Sequence, residues 1–452
     1  MPDSLNPLAE VDYYLGEYAQ LVEKALAELH ADRAVERIWS RDGTLWATDP
    51  RVAAEVEERL GWLDLPDLID VERPLVVELA AQVRKAGYRQ AALLGMGGSS
   101  LGPEVLRQVL GPRPGYLDLA IVDTTDPGEI RHLTVGLDLA HTLFLVASKS
   151  GTTAETRAQY LYFRSLLRDL VGDGWSQQFV AITDPGTPLA DLALEERFRA
   201  LFYGRPDVGG RFSVLSAFGL VPAALLGVDL DRLAASARAM AHSAQPGQSG
   251  VDNTALYLGT VLGTLARDAR PRRDKLTLLT SPRLASFGAW AEQLIAESTG
   301  KDGRGIVPVD GERVIPAIRY GPDRLFVYLR LDGDDNADSD AFVGTLQQAG
   351  QPFVRLHLRD PYALGAEFFR WEFVTAVAGQ LLNINPFDQP NVEAAKQQAR
   401  QALSRYEQTR QLDEPTPVFE DGCFAIDGPP ARAREGMGAY LRRVLSEATQ
   451  PG

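Results

Sequence analysis

Residues 142–156 read TLFLVASKSGTTAET. An apolar run, Thr142 to Ala147, breaks into a stretch carrying Ser148, Ser150, Thr152, Thr153 and Thr156, with Gly151 among them. A strand that ends in such a turn and continues as a helix is the repeating unit of an open α/β sheet. In these sheets ligands sit beyond the carboxyl ends of the strands, where helix N-termini present unpaired amides. Thr152 is expected to cap the helix, and Glu155, three residues on, completes a capping box. Ala158, Tyr162, Leu166 and Leu170 recur at helical spacing and are expected to face the sheet. Capping leaves Ser148, Ser150 and Thr153 unexplained: they either satisfy their own turn or donate to a bound anion.

Outward from this junction the pattern repeats. QAALLG, LDLAIVD, TLFLVA, QFVAIT and FRALFY are each followed by a turn or a helix-like segment, and a second set, KLTLLT, RLFVYLRL and FVRLHL, begins near residue 275. Such alternation predicts two α/β units in tandem, each a mostly parallel sheet flanked by helices. Ser, Gly, Gln and Pro accumulate in HSAQPGQSGVDN (242–253), the expected joint. The division expected is a helical N-terminal segment over 1–75, a first unit over 76–248, a second over 249–405 and a tail over 406–452.

The 452 residues, 45% apolar and 24% charged, are those of a soluble globular protein with a sizeable core. A net charge of −15 argues against a nucleic-acid or anionic-membrane surface, but not against a small phosphate held by local amides and cations. The longest apolar stretch, VLSAFGLVPAALLGV (214–228), is too short to span a bilayer and reads as a buried helix. The first residues carry acids and no basic lead into an apolar run, so a secretory signal is not expected and the cytoplasm is. One cysteine, Cys423, fits a reducing compartment, and no motif requires a metal or cofactor.

A second ligand-ready crest, GMGGSSLGPEVL (95–106), follows the strand AALL. Gly95, Gly97 and Gly98 allow close backbone approach, and Pro103 suits a first helical position. The stretch imitates the dinucleotide fingerprint G-x-G-x-x-G, yet Ser100 stands where the third glycine belongs and no ribose-binding acid follows in context.

These two crests, with DVGGRFSVLSAFGL (207–220), EQLIAESTGK (292–301) and INPFDQPNVEAAK (384–396), resemble the glucose-6-phosphate isomerase family, whose members are built from two sugar isomerase (SIS) domains. The motifs follow the family's order from about 90 to 400. They are most similar to the isomerase half of fused transaldolase and phosphoglucose isomerase proteins; no room is left for a transaldolase barrel, so a free-standing isomerase is expected. The resemblance implies interconversion of glucose 6-phosphate and fructose 6-phosphate through a cis-enediol, in glycolysis and gluconeogenesis, by a homodimer without cofactor.

Site residues follow from the matched motifs. Glu297 corresponds to the catalytic base, and Gln293, four residues earlier on the same helical face, to a substrate-binding glutamine. Arg211 corresponds to the arginine that stabilises the enediolate, a charge that cannot be titrated away. Ser148, Ser150 and Thr153, with the Lys149 backbone amide, would hold the phosphate, and Gly98 and Ser99 the sugar. Gln389 would contact substrate and Lys396 assist at the ring oxygen. The family's ring-opening histidine has no clear counterpart. His357, within FVRLHL, shares a strand face with Phe353 and Arg355, opposite Val354, Leu356 and Leu358, so it is expected to be structural, leaving ring opening to Lys396 with an ordered water or partly to spontaneous opening in solution. Two alternatives stand beside this reading: dual phosphoglucose and phosphomannose isomerase activity, and a SIS-type sensor that needs the phosphate loop but neither Glu297 nor Arg211.

Overall fold

Strand β1 (Glu10–Tyr14) opens the chain's regular structure, and helices occupy most of the sequence from there to Lys85. The computed structural model describes residue 8 and residues 10–248, 252–411, 416–420 and 424–448. Cys423 and the centre of the expected joint, Ser249 to Val251, lie outside the described residues.

Five parallel strands follow: β2 (Gln90–Gly95), β3 (Asp118–Val122), β4 (Thr142–Ala147), β5 (Phe179–Thr183) and β6 (Ala200–Tyr203). They lie in the order β3-β2-β4-β5-β6. Their apolar runs are continuous because helices cover both faces. Leu143 and Leu145 join a core shared with the rest of the unit, whereas Phe144 and Val146 pack outward against Phe163 and Phe179.

The second sheet comprises β7 (Lys275–Thr280), β8 (Val307–Val309), β9 (Arg324–Leu331) and β10 (Phe353–Leu358), parallel in the order β10-β9-β7-β8, with β1 antiparallel at the β10 edge. Sequence reading placed the strands of both sets but not β1 or β8. β1 is five residues with charged Glu10 and Asp12, held by Tyr14 stacked on Phe353 at 5.3 Å and by Arg355 bonding Asp12 at 2.7 Å. Its partner is remote in sequence, so no local pattern announces it. β8 has three residues, one of them Pro308.

The main core includes helices with almost no solvent-exposed face. Ala217–Leu226 is buried at every position, as the sequence indicated, and Leu364–Leu382 at every position except Gln380. That core, with Leu93 and Leu145 of one sheet and Val327 and Leu356 of the other, is continuous. Among the described residues no helix is long and apolar enough to cross a membrane.

The chain divides into two units, Met1–Asp388 and Gln389–Gly452. The second contains the helices Pro390–Thr409 and Met437–Ala448 and a ribbon pairing Phe419–Glu420 with Ala425–Ile426. Within it Tyr440 is buried edge-on to Phe419 at 5.2 Å, and Arg443 grips Glu435 through two bonds of 2.9 Å.

Candidate active site

β2 and β4 are neighbours, and Gly95 pairs with Ala147, so the two crests leave adjacent strand ends. The first crest turns directly into the helix Gly98–Leu110. Pro103 is therefore not the first helical residue but lies inside the helix, because the chain becomes helical as soon as it leaves Gly97. The glycines here answer to close approach. A Cβ on Gly98 would lie 2.3 Å from the Gly210 carbonyl oxygen, and one on Gly97 would lie 2.7 Å from Gln293 Nε2. The crest thus abuts both the arginine segment and the glutamine. Ser99 is buried in the first helical turn.

At the second crest the helix spans Ala154–Val171 with Thr153, not Thr152, as its N-cap. Thr153 makes no side-chain cap; its hydroxyl meets Ser148 Oγ at 2.9 Å, while Ser150 and Thr152 pair at 3.0 Å. The first-turn amides therefore lack the side-chain acceptor a capping box would supply, which leaves them for an anion. The expected sheet-facing stripe is also off by about one position. Ala158 and Leu170 are exposed, while Thr156, Gln159, Tyr160, Phe163 and Leu167 are buried. Aromatic packing fixes the phase, with Tyr160 5.1 Å from Phe179 and Phe163 4.8 Å from Phe144. Polar Thr156 and Gln159 turn inward too: Gln159 Nε2 donates to the Thr124 carbonyl at 2.9 Å, and Thr156 Oγ1 is buried without a partner. Hydropathy counting cannot anticipate polar residues drawn inward.

The Lys149 side chain turns away from the hydroxyls. Its ammonium donates to Asp184 at 2.5 Å and to the Arg205 carbonyl at 2.6 Å, and burial pulls its pKa down against the pull of Asp184. Lys149 therefore offers the crest its backbone rather than its charge.

Arg211 is almost wholly buried. Its Nε donates to Ser298 Oγ at 2.7 Å, Nη1 to Glu297 Oε1 at 2.7 Å, and Nη2 to the carbonyls of Pro386 and Asp388 at 2.7 and 3.0 Å. Burial lowers its pKa, opposed by Glu297 and Asp388. Desolvating a guanidinium costs several kcal/mol unless its donors are met, and here they are met from two segments, 297–298 and 386–388. The arginine's own segment and the 386–388 stretch are joined by aromatic contact: Phe212 packs on Trp62 at 5.7 Å and on Phe387 at 5.6 Å, and Phe387 packs on Trp46 at 5.1 Å.

Glu297 and Gln293 share one face of the helix Ala285–Thr299, with Gln293 Nε2 3.4 Å from Glu297 Oε2. Gln293 Oε1 is buried without a partner, an acceptor suited to a hydroxyl. One carboxylate oxygen of Glu297 is thus fixed by Arg211 while the other faces the glutamine amide.

Sequence reading passed over Lys301, the last residue of EQLIAESTGK. It is buried and donates to the Asn385 carbonyl and to both the carbonyl, at 2.9 Å, and the carboxylate of Asp388. Burial lowers its pKa while Asp388 raises it. A lysine just past a helix end ordinarily reads as an exposed countercharge to the helix dipole; only its spacing of four from Glu297 hinted otherwise.

The structure therefore gathers Gly98, Arg211, Gln293 and Glu297 around one point and sets the hydroxyl turn on the neighbouring strand. Gln389 and Lys396 belong to the second unit, at the N-cap and within the helix Pro390–Thr409. His357 Nε2 lies 3.0 Å from Asp12 Oδ2 across the β1–β10 edge.

The family model described as Phosphoglucose isomerase matches residues 85–314, just over half of the chain. A protein named glucose-6-phosphate isomerase from Rubrobacter xylanophilus is 31% identical over 396 residues, covering 77% of this chain and 90% of its own. Among solved structures, a hypothetical protein from Thermus thermophilus superposes with a TM-score of 0.74 at 27% identity, covering 88% of this chain and all of its own. A glucose-6-phosphate isomerase from Chlamydia trachomatis reaches 0.71 at 18% identity, over 98% of this chain and 92% of its own, a likeness of fold.

Proposed function

The chain belongs to the phosphoglucose isomerase family, and from that premise we propose how its site interconverts glucose 6-phosphate and fructose 6-phosphate, a step of glycolysis and gluconeogenesis. Moving a proton between C2 and C1 requires one base that removes and returns it, and Glu297 is that base. Arg211 faces the developing enediolate with a charge already paired, oriented and desolvated, so little reorganisation accompanies the reaction. The observation that carries this reading is the joint fixing of Glu297 and Arg211, with Nη1 to Oε1 at 2.7 Å and the guanidinium anchored on Ser298 and two carbonyls.

Ser148, Ser150, Thr153 and the Lys149 amide take the phosphate at the N-terminus of the helix Ala154–Val171. Gly98, Ser99 and Gln293 take the sugar. Their family motif assigns Gln389 to the substrate and Lys396, with a water, to the ring oxygen. The two sheets support a division into SIS domains over 76–248 and 249–405, with an N-terminal segment (1–75) that lends β1 to the second sheet and a tail (406–452). A homodimer in the cytoplasm, needing no cofactor, completes the reading.

The two alternatives are not favoured: a non-catalytic sensor has no need for a carboxylate aligned on a buried arginine, and against dual phosphoglucose and phosphomannose isomerase activity stand the relatives named for glucose 6-phosphate. A coupled assay for fructose 6-phosphate, run in parallel from glucose 6-phosphate and mannose 6-phosphate, tests the function. Absence of product from glucose 6-phosphate overturns it.

A further inference from the structure

A second cationic concavity lies off the Glu297–Arg211 centre. A cavity of about 540 Å³ opens where the helices Thr254–Asp268, Ala285–Thr299 and Leu364–Leu382 end. Arg267, Arg270, Arg272 and Arg304 line it, against the two acids Asp268 and Asp274. Both acids are already matched. Asp268 accepts two bonds from Arg267 at 2.8 and 2.7 Å, and Asp274 accepts from Lys275 at 3.0 Å. Among the described residues Arg270, Arg272 and Arg304 have no ion-pair partner, in a chain whose net charge is −15.

Capping of helix ends accounts for part of this arrangement. Arg267 Nη1 donates to the Leu381 carbonyl at 2.8 Å, Arg270 Nη1 to the carbonyls of Arg267 and Ala269, and Arg304 Nη1 to those of Leu382 and Asn383 at 3.1 and 3.3 Å. Those bonds occupy one nitrogen each of Arg270 and Arg304 and hold both guanidinium groups in place. Arg272 caps nothing: it is exposed and makes no hydrogen bond among the described residues. Anchored guanidinium forks are suited to phosphate and carboxylate oxygens, and anchoring reduces the ordering cost of binding. The cavity's volume falls within the range of small-ligand sites.

The cavity also reaches the catalytic segment. Arg304 N donates to the Lys301 carbonyl at 2.8 Å within a short antiparallel bridge. Lys301 holds Asn385 and Asp388, the residues next to and among those that Arg211 grips, while Arg304 holds Asn383. One stretch, 383–388, is therefore gripped from both sides.

We propose that this cavity binds a compact polyanion carrying at least two anionic groups, a phosphorylated carboxylic acid or a diphosphate. Its engagement of Arg304 shifts the 383–388 stretch against Arg211 and changes turnover without competing with the sugar phosphate.

Equilibrium dialysis of labelled pyrophosphate tests the site, with the catalytic centre saturated by a six-carbon sugar-acid phosphate at fixed ionic strength. One further equivalent per chain is expected, and Arg272→Glu, which removes no internal contact, should weaken it at least about tenfold while leaving thermal unfolding and basal kcat unchanged. Pyrophosphate should alter kcat at saturating fructose 6-phosphate in the unsubstituted enzyme but not in Arg272→Glu. No further equivalent, or equal binding by Arg272→Glu, overturns the site. Binding with unaltered kcat, or inhibition that substrate relieves completely, overturns the coupling. Dialysis reads the site without turnover, so a failed isomerase reading leaves a distinct signature.

Discussion

The hydroxyl turn and the Arg211 clamp lie in one unit and satisfy their polar groups on opposite terms. At the turn, neutral hydroxyls pair with one another, Ser148 with Thr153 and Ser150 with Thr152, at a surface where Ser150 is exposed. On the proposed reading, an arriving phosphate would exchange those neutral bonds for charge-assisted ones, with little else needing to move. At the clamp, a buried cation is held by a carboxylate, a hydroxyl and two carbonyls before any substrate arrives. The difference separates affinity from rate. On the proposed reading, groups easily re-paired set how tightly substrate binds, and groups fixed in advance set how fast it reacts.

Glu297→Gln should break that contrast most severely. The amide retains shape and hydrogen bonding but cannot take the proton, so kcat should fall by roughly 10² to 10⁴ while binding of a sugar-acid phosphate, measured calorimetrically, persists. Near-normal kcat would remove Glu297 from the role of base. Arg211→Lys comes next, because a point charge cannot meet four acceptors in the same plane. Both readouts should move: kcat by roughly 10², and the thermal midpoint downward as the buried carbonyls lose donors. A change confined to KM would turn the clamp into a second binding element and dissolve the contrast.

Ser150→Ala should act on the other side of the divide, weakening substrate and inorganic phosphate together by about 1.5–3 kcal/mol with kcat nearly unchanged. Unaltered phosphate inhibition would move the anion site elsewhere. Thr152→Ala discriminates more finely. A true N-cap loses about 1 kcal/mol of stability on this change, whereas the geometry places the cap at Thr153, so chemical denaturation should shift by less than about 0.5 kcal/mol. Smallest of all is His357→Ala. It removes a half-exposed pairing with Asp12 and should leave kcat within about twofold, since such pairs contribute at most about 1 kcal/mol to stability. A collapse of activity in a folded variant would restore a ring-opening histidine.

The strands that carry the two crests were legible because parallel strands buried on both faces are written as unbroken apolar runs. The crests themselves were legible through glycine and hydroxyl density. What escaped had a common cause, dependence on remote partners. Lys301 is buried because Asn385 and Asp388 come to it; Gln159 turns inward to donate to the Thr124 carbonyl; β1 is a strand because β10 pairs with it. Local periodicity registers none of these. Glu297 and Gln293 form the opposite case, since their spacing of four residues on one helix fixed their common face before any tertiary contact was known.

Strand β1 bears on how the molecule is made. Its residues leave the ribosome long before those of β10, and Asp12 waits for His357, 345 positions later. Until β10 has been synthesised, Tyr13 and Tyr14 have no sheet edge to join, and the second sheet closes only by a long-range encounter late in translation. Contacts of such separation are slow to form, and an unpaired strand that persists during synthesis is a site for chaperone capture or for exchange between nascent chains. Biogenesis of this enzyme should therefore be most sensitive at this edge strand, the part of the unit most distant in sequence from its own completion.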